Sequence, residues 1–473
     1  MQSQVNTFSI LSWADWVVFV IVLCTTAGAA WYGAYRLRQR TENGPQSALD
    51  YLLMGRQLTL PFFIATLVAT WYGGIFGVSE ITFNYGIFNF ITQGFFWYIS
   101  YLIFAFFIAK RVVNSRAQTL PDLSQRLFGP RAAVTTAWFT LLTMLPVAYA
   151  LSVGIFLHMV FGISVMTGMI IGTLFVGLYS AWGGLRSVVL SDTVQFVVMC
   201  TAVAVVFAFS IGNFGGIGFL KAHLPASHFS LTGGHSWANT LVWGFIALST
   251  LIDPNFYQRC FAAKDLKTVK TGILISTIIW FLFDICTTAG ALYARALLPE
   301  AQPAEAYFFY ALQLLPGGLR GLFVAGILSL ILSTLSSYLF VASNTLSFDL
   351  LKNRFPNVVR SNRAMVFIAG GLAILLAHLL HGSFKEIWLV IGSYFSACLL
   401  VPVLVGEVRP GVLSEKAFNI SCWSSAVMMT LYRFLAPSSW VKQFDPFYVG
   451  VAVSVLILLC CGKGVFNARV TGR

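Results

Sequence analysis

Charge is what this 473-residue chain has least of. Asp, Glu, Lys and Arg together make up 10% of it, against about 25% in a soluble globular chain. Hydrophobic residues make up 58%, and mean hydropathy is +0.81. That balance excludes an ordinary soluble domain and predicts an all-α polytopic membrane protein. Acidic residues are scarcer than basic ones, 16 against 29, which leaves a net charge of +13. Metal-binding and redox patterns are missing too. The eight cysteines form no CxxC and no Cys/His set with metal spacing, so they read as small apolar packing residues. Three of the six histidines, His223, His228 and His235, share one loop without regular spacing, and read as solvated loop residues. No P-loop, nucleophile elbow or HExxH motif occurs. No enzyme and no organic cofactor is expected.

What is there in quantity is apolar runs of spanning length, about 20 residues each. They fall near 11–35, 58–82, 85–109, 133–157, 160–180, 187–211, 236–257, 272–295, 320–346, 363–380, 385–405, 418–435 and 446–462. About 13 transmembrane helices are thus expected, with termini on opposite sides. All the Lys and Arg except Lys221, Arg295, Arg320, Lys385, Arg433 and Lys442 fall in alternate loops. By the positive-inside rule the N-terminus lies outside and the C-terminus in the cytoplasm. The basic balance is therefore topological, and no nucleic-acid partner is expected. Met1-Gln-Ser-Gln lacks a positive n-region, and the first apolar run is too long for a cleavable signal.

Residues 326–339, GILSLILSTLSSYL, are apolar enough for a bilayer yet carry Ser329, Ser333, Thr334, Ser336 and Ser337. On a helix, Leu330, Ser333, Thr334 and Ser337 share one face. Hydroxyls in hydrocarbon need partners, and a bare alkali cation is one. Helix-packing glue is the other reading. Two further runs look interrupted. In 61–77, PFFIATLVATWYGGIFG, Gly73, Gly74 and Gly77 lower helical stability, and Thr66 and Thr70 offer polar groups. In 243–257, WGFIALSTLIDPNFY, Pro254 removes a donor and disfavours helix at Asp253. The two runs are five spans apart, so they cross in opposite directions, as the first helices of an inverted repeat do.

At this point the chain resembles the sodium/solute symporter family, whose members include proline, pantothenate, monocarboxylate, choline, iodide and sugar cotransporters. Residues 179–195, YSAWGGLRSVVLSDTVQ, resemble its signature. DYLLMGR at 50–56, DPNFYQR at 253–259 and the Ser-Thr pair in 329–349 resemble it as well. The resemblance implies a leucine-transporter-like fold with a 5+5 inverted repeat. The repeats would be 58–211 and 236–405, with an external loop at 212–235. Residues 1–57 would hold a peripheral first helix and a cytoplasmic loop. Residues 406–473 would hold two peripheral helices and a cytoplasmic tail.

It further implies a sodium-coupled secondary active symporter that imports a small organic solute by alternating access across the cell (inner) membrane. A bundle of spans two, three, seven and eight would rock against the rest. Na+ would be the cotransported ion, held by carbonyls of Leu67 and Thr70, the Leu330 carbonyl and the Ser333 and Thr334 hydroxyls. Asp192 would lie on the inner release path; the physical alternatives are a helix cap or a pair with Arg186. Partners would be the solute, Na+ and the lipid bilayer. A monomer suffices, and a dimer is compatible.

The solute pocket is expected beside the two breaks. Its candidates are Thr70, Trp71, Tyr72, Gly73, Gly74 and Glu80 from the first, and Ser249, Asp253, Asn255 and Tyr257 from the second. Tyr149, Ser393 and Tyr394 could join them. Aromatic rings would cover a solute and the polar groups would orient it. Asp253 and Glu80 are costly if deep, and Asp284 is a further buried-carboxylate candidate. Ala69 and Gly73 stand where some family members carry polar or acidic residues, so the substrate cannot be copied over. Proton coupling through Asp253, Glu80 or Asp284 is the rival reading, and a transport-deficient solute sensor is another; the latter lacks an appended signalling domain.

Overall fold

Local sequence sets where the long helices begin. Ser164, Ser236, Asp253 and Asp265 each accept a backbone N–H three residues on, at 3.1, 3.2, 2.8 and 2.7 Å. Each bond satisfies one amide that a helix start leaves open. Pro stands in the first turn of the helices that start at Leu60, Pro130 and Pro254, where a missing N–H costs nothing.

The computed structural model describes residues 10–42, 48–351, 354, 357–379, 384–437 and 444–461. The principal helices are α1 (Trp13–Glu42), α2 (Leu60–Ala69), α3 (Ile75–Tyr85), α4 (Phe90–Ser115), α5 (Pro130–Met144), α6 (Val147–Phe161) and α7 (Val165–Phe214). They continue as α8 (Trp237–Ala247), α9 (Pro254–Ala262), α10 (Leu266–Leu297), α11 (Leu319–Asn344), α12 (Val358–Leu379), α13 (Phe384–Val408), α14 (Glu415–Leu435) and α15 (Pro446–Cys461). Among the described residues there is no β-strand, and one isolated parallel bridge joins Leu58 to Ala263. Among the described residues, eight segments are long and apolar enough to cross a membrane. The protein is an all-helical, multi-pass membrane protein.

The core lies along α11. Of its most apolar window 94% is buried, against 22% for α1. α11 packs on α7, and α1 lies across both. Exposed Trp31, Phe107, Leu174 and Ile278 point away from that core, as a hydrocarbon-facing surface requires.

Two expected boundaries move. The runs at 160–180 and 187–211 form two helices, as expected, but they meet at a kink with no loop between them, and α7 denotes the two together. A straight helix of its 50 residues would be about 75 Å long. Gly184, at φ 57°, breaks it into arms 165–183 and 185–214, each of spanning length. Only glycine takes that conformation cheaply, and Arg186 falls just beyond the bend instead of in a loop. The run at 133–157 divides at Pro146 into α5 and α6, because proline cannot continue the hydrogen-bond ladder. Arg259, counted above as a loop charge, is fully buried on α9. Lys352, Lys442, Lys463, Arg469 and Arg473 lie outside the described residues.

Candidate functional site: two broken helices on a buried hydroxyl face

Both expected interruptions are present. α2 stops at Ala69 and helix resumes at Ile75 as α3, with Gly77 inside α3 rather than in the break. α8 ends at Ala247, a tight turn covers Leu248–Ile252, and Asp253 is extended at ψ 122° before α9. The residue before a proline prefers that conformation. Asp253 then caps α9 through the Phe256 amide at 2.8 Å.

The hydroxyl face of α11 meets the first break. The Ser333 hydroxyl donates to the Ala69 carbonyl at 2.7 Å and to its own helix at Leu330, 3.1 Å. The Thr334 hydroxyl donates to the Leu330 carbonyl at 3.1 Å and accepts the Gly73 amide at 2.8 Å. All of these side chains are buried. The carbonyl that reaches Ser333 belongs to Ala69, between the Leu67 and Thr70 that the resemblance named. Close approach explains Gly73: a Cβ there would lie 2.4 Å from Thr334 Cβ and 2.7 Å from its Oγ1. Gly73→Ala should therefore cost about 1–3 kcal/mol as overpacking, read as a lower thermal midpoint in detergent. An unchanged midpoint would mean that the break relaxes freely.

One turn further along the same face stands a guanidinium. Arg259 donates to Ser337 Oγ at 2.5 Å, Thr70 Oγ1 at 3.0 Å, Thr66 Oγ1 at 3.4 Å and Asn255 Oδ1 at 3.0 Å. Its Nη2 lies 3.8 Å from Asp192 Oδ2, and the Thr66 hydroxyl donates to that same oxygen at 2.5 Å. A buried ion pair thus ties α2, α7, α9 and α11 together. Asp192 sits two turns beyond the Gly184 bend, away from a helix start, and its carboxylate faces Arg259.

Beside the breaks lies a cavity of about 160 Å³. Trp71, Tyr72, Gly74, Tyr149, Ser249 and Asp253, all expected, line it. Gly73 borders it, with Tyr149 3.0 Å from its would-be Cβ. Seven expected residues, Thr70, Gly73, Glu80, Asn255, Tyr257, Ser393 and Tyr394, do not line it. Tyr257 points the other way, with its hydroxyl 2.7 Å from the Leu251 carbonyl and 2.8 Å from Glu407 Oε1. Ser393 bonds its own helix at Val390, and Tyr394 bonds Thr430; their neighbours Gly392 and Phe395 line the wall instead. Glu80 lies a full turn into α3, beyond the lining residue Val78. Asn255 belongs to the Arg259 cluster. Asp284 accepts hydrogen bonds from the hydroxyls of Tyr72 and Tyr98, behind the Tyr72 side of the cavity.

The reading from sequence missed Gln93, Trp97, Thr143, Trp243 and Tyr338 on the cavity wall and Arg259 on the hydroxyl face, and it named Thr66 as a polar group of the first broken helix without its partners Arg259 and Asp192. Thr66 and Thr70 are four apart, as are Asn255 and Arg259, and that spacing on a polar face was the available signal.

The sequence profile of the Sodium:solute symporter family matches residues 51–408. The chain belongs to that family. It is a family of transporters and not of enzymes. Relatives include a sodium/pantothenate symporter of Haemophilus influenzae, 25% identical over 300 residues, which are 60% of this chain and 61% of that protein. The match to the Escherichia coli sodium/pantothenate symporter, at 26% identity, covers 52% of this chain and 54% of that one. The chain thus spans little more than half the length of these relatives. A sodium/glucose cotransporter of Vibrio parahaemolyticus is 24% identical over 85% of this chain and 80% of its own length. Among solved structures, a substrate-bound, outward-open Na+-coupled sialic acid symporter aligns with a TM-score of 0.78 at 15% identity. That alignment covers 97% of this chain and 98% of the other, and shows the shared fold.

Proposed function

We propose that this chain is a sodium-coupled secondary active symporter that carries a small organic solute across the cell membrane by alternating access. The observation that carries the reading is the junction of Ser333 and Thr334 with the unwound end of α2, beside a cavity bounded by both helix breaks. Irregular backbone at membrane depth is tolerated where it lines a cavity. Sodium is cargo here. Its ligands are the carbonyls of Leu67, Thr70 and Leu330 and the hydroxyls of Ser333 and Thr334, a hard oxygen set for a hard cation. The Thr70 hydroxyl is engaged by Arg259 and by the Thr66 carbonyl at 2.6 Å, so Thr70 contributes backbone. Asp192 stands on the inner release path. Trp71, Tyr72, Gly73, Gly74, Tyr149, Ser249 and Asp253 serve the solute.

The proposed arrangement has thirteen passes, an outer N-terminus and a cytoplasmic C-terminus, with inverted repeats over 58–211 and 236–405. The alternation of basic loops supports the orientation, and the paired breaks support the repeats. A monomer suffices. Each charge moved inward gains about 2.3 kcal/mol per 100 mV, more than a tenfold concentration ratio.

The test is uptake into proteoliposomes. Solute accumulation should require an inward sodium gradient and collapse when potassium replaces sodium. Uptake that ignores sodium and follows a pH gradient would overturn the reading in favour of proton coupling.

A further inference from the structure

The cavity wall has a chemical bias that the symport reading leaves open. Trp71, Trp97 and Trp243, Tyr72, Tyr149 and Tyr338, and Phe395 give it aromatic faces from five helices and the break between α2 and α3. Among the described residues, Asp253 is the one charged residue on that wall, and none of the others there is a Lys, Arg or His. One Asp253 oxygen accepts the Phe256 amide, and a carboxylate has acceptor sites to spare on the other. A second carboxylate, Asp284, stands behind Tyr72 and is held by that residue's hydroxyl. Arg259, on the helix that Asp253 caps, spends its donors on Ser337, Thr70, Thr66 and Asn255, beside Asp192.

A solute entering this space leaves its water behind, so a charge on it needs an opposite charge or an aromatic face in return. A carboxylate solute would meet Asp253 and find no cation to hold it. A sugar would need a dense set of donors and acceptors, and this wall is mostly ring surface. An ammonium group would meet both of its natural partners at once, a carboxylate and several ring faces. The Gln93 side-chain nitrogen, buried and without a partner, also lines the cavity, and offers a donor to an oxygen elsewhere on the solute.

We infer that the cavity recognises a small monocationic ammonium solute, with its nitrogen set against Asp253 inside the ring of Trp and Tyr faces. This rests on the reading of the cavity as the solute site of a symporter, and it names the class of that solute.

The experiment is binding, followed by flux, on the full-length purified protein. Tryptophan fluorescence and thermal stability are read in sodium against choline and tetramethylammonium as monocations. Glycine betaine and proline serve as zwitterions, pantothenate and pyruvate as anions, and glucose as the neutral solute. The expected result is saturable binding of at least one monocation, weakened at least tenfold by Asp253→Asn. Asparagine is as good a helix cap as aspartate, so this variant keeps α9. No hydrogen bond of the Arg259 cluster involves Asp253, and sodium-dependent stabilisation should persist as the folding control. Preferred binding of an anion, a zwitterion or glucose overturns the inference, as does failure of both monocations to bind, or monocation binding indifferent to Asp253→Asn. Flux separates the two proposals. If pantothenate or glucose accumulates on a sodium gradient, symport stands and this inference falls. If a monocation binds through Asp253 but never accumulates on sodium, the inference stands and symport falls.

Discussion

Arg259→Met will destabilise the protein by about 3–5 kcal/mol, the usual cost of removing one partner of a buried ion pair. The magnitude follows from what is left behind. Asp192 is fully buried, and without the guanidinium its Oδ2 keeps the hydrogen bond from the Thr66 hydroxyl but loses its counter-charge. The hydroxyls of Ser337 and Thr70 and the Asn255 carbonyl oxygen lose a charged donor at the same time. Removing both charges should cost far less, because an apolar pair of similar size is often neutral relative to a buried ion pair. Arg259→Met combined with Asp192→Asn is therefore expected to regain most of the lost thermal stability in detergent. The single and double variants form a mutant cycle. A double variant no more stable than Arg259→Met would sink the electrostatic account. The hydrogen bonds to Ser337, Thr70 and Asn255 would then carry the role.

Arg259 also shows where sequence reading stops. The two helix breaks, the hydroxyl face of α11 and Asp253 at the second break were legible because each depends on neighbours in the chain. Pro254 dictates the backbone of Asp253, and a helical period of 3.6 aligns Leu330 with Ser333, Thr334 and Ser337. Arg259 was legible only as a charge. Its place five residues before Lys264 and the alternation of basic loops assign it to a cytoplasmic loop, and that rule carries no information about burial. Its partners Thr66, Thr70, Asp192 and Ser337 come from three other helices, so the pairing is a fact of tertiary structure alone. Tyr257, Ser393 and Tyr394 illustrate the converse. Each sits on a segment that borders the cavity, but helical phase turns it toward Glu407, Val390 or Thr430. Gly392 and Phe395, next to Ser393 and Tyr394, take the wall. A one-residue error in phase rotates a side chain by about 100°, enough to exchange lining for packing. The bend at Gly184 was hidden for another reason: its apolar flanks read equally well as two helices with a loop or as one helix with a kink.

Ser333→Ala with Thr334→Ala will abolish sodium-dependent stabilisation of the purified protein. A ligand at 100 times its Kd raises stability by about 2.7 kcal/mol, so the wild-type shift is large enough to read as a thermal midpoint. Lithium and potassium serve as controls for ionic strength. The double variant will also be less stable without sodium, because the Gly73 amide loses its acceptor on Thr334 and the Ala69 carbonyl loses its donor on Ser333. Leaving a buried polar group unpaired costs about 1–3 kcal/mol. That cost is present at every salt composition, so the sodium effect is isolated as the difference between sodium and potassium within each variant. Thr334→Ser keeps a hydroxyl at the same place and should restore both the Gly73 bond and the sodium response. Three outcomes are diagnostic. A sodium shift lost in the double variant and restored by serine fixes the ion at the junction of α2 and α11. A sodium shift that survives the double variant moves the ion elsewhere, and the polar cluster around Asp192 is then the next place to probe. No sodium shift in the wild type would leave the hydroxyl face as packing glue between helices, and would shift the search for the coupling ion to protons on the buried carboxylates.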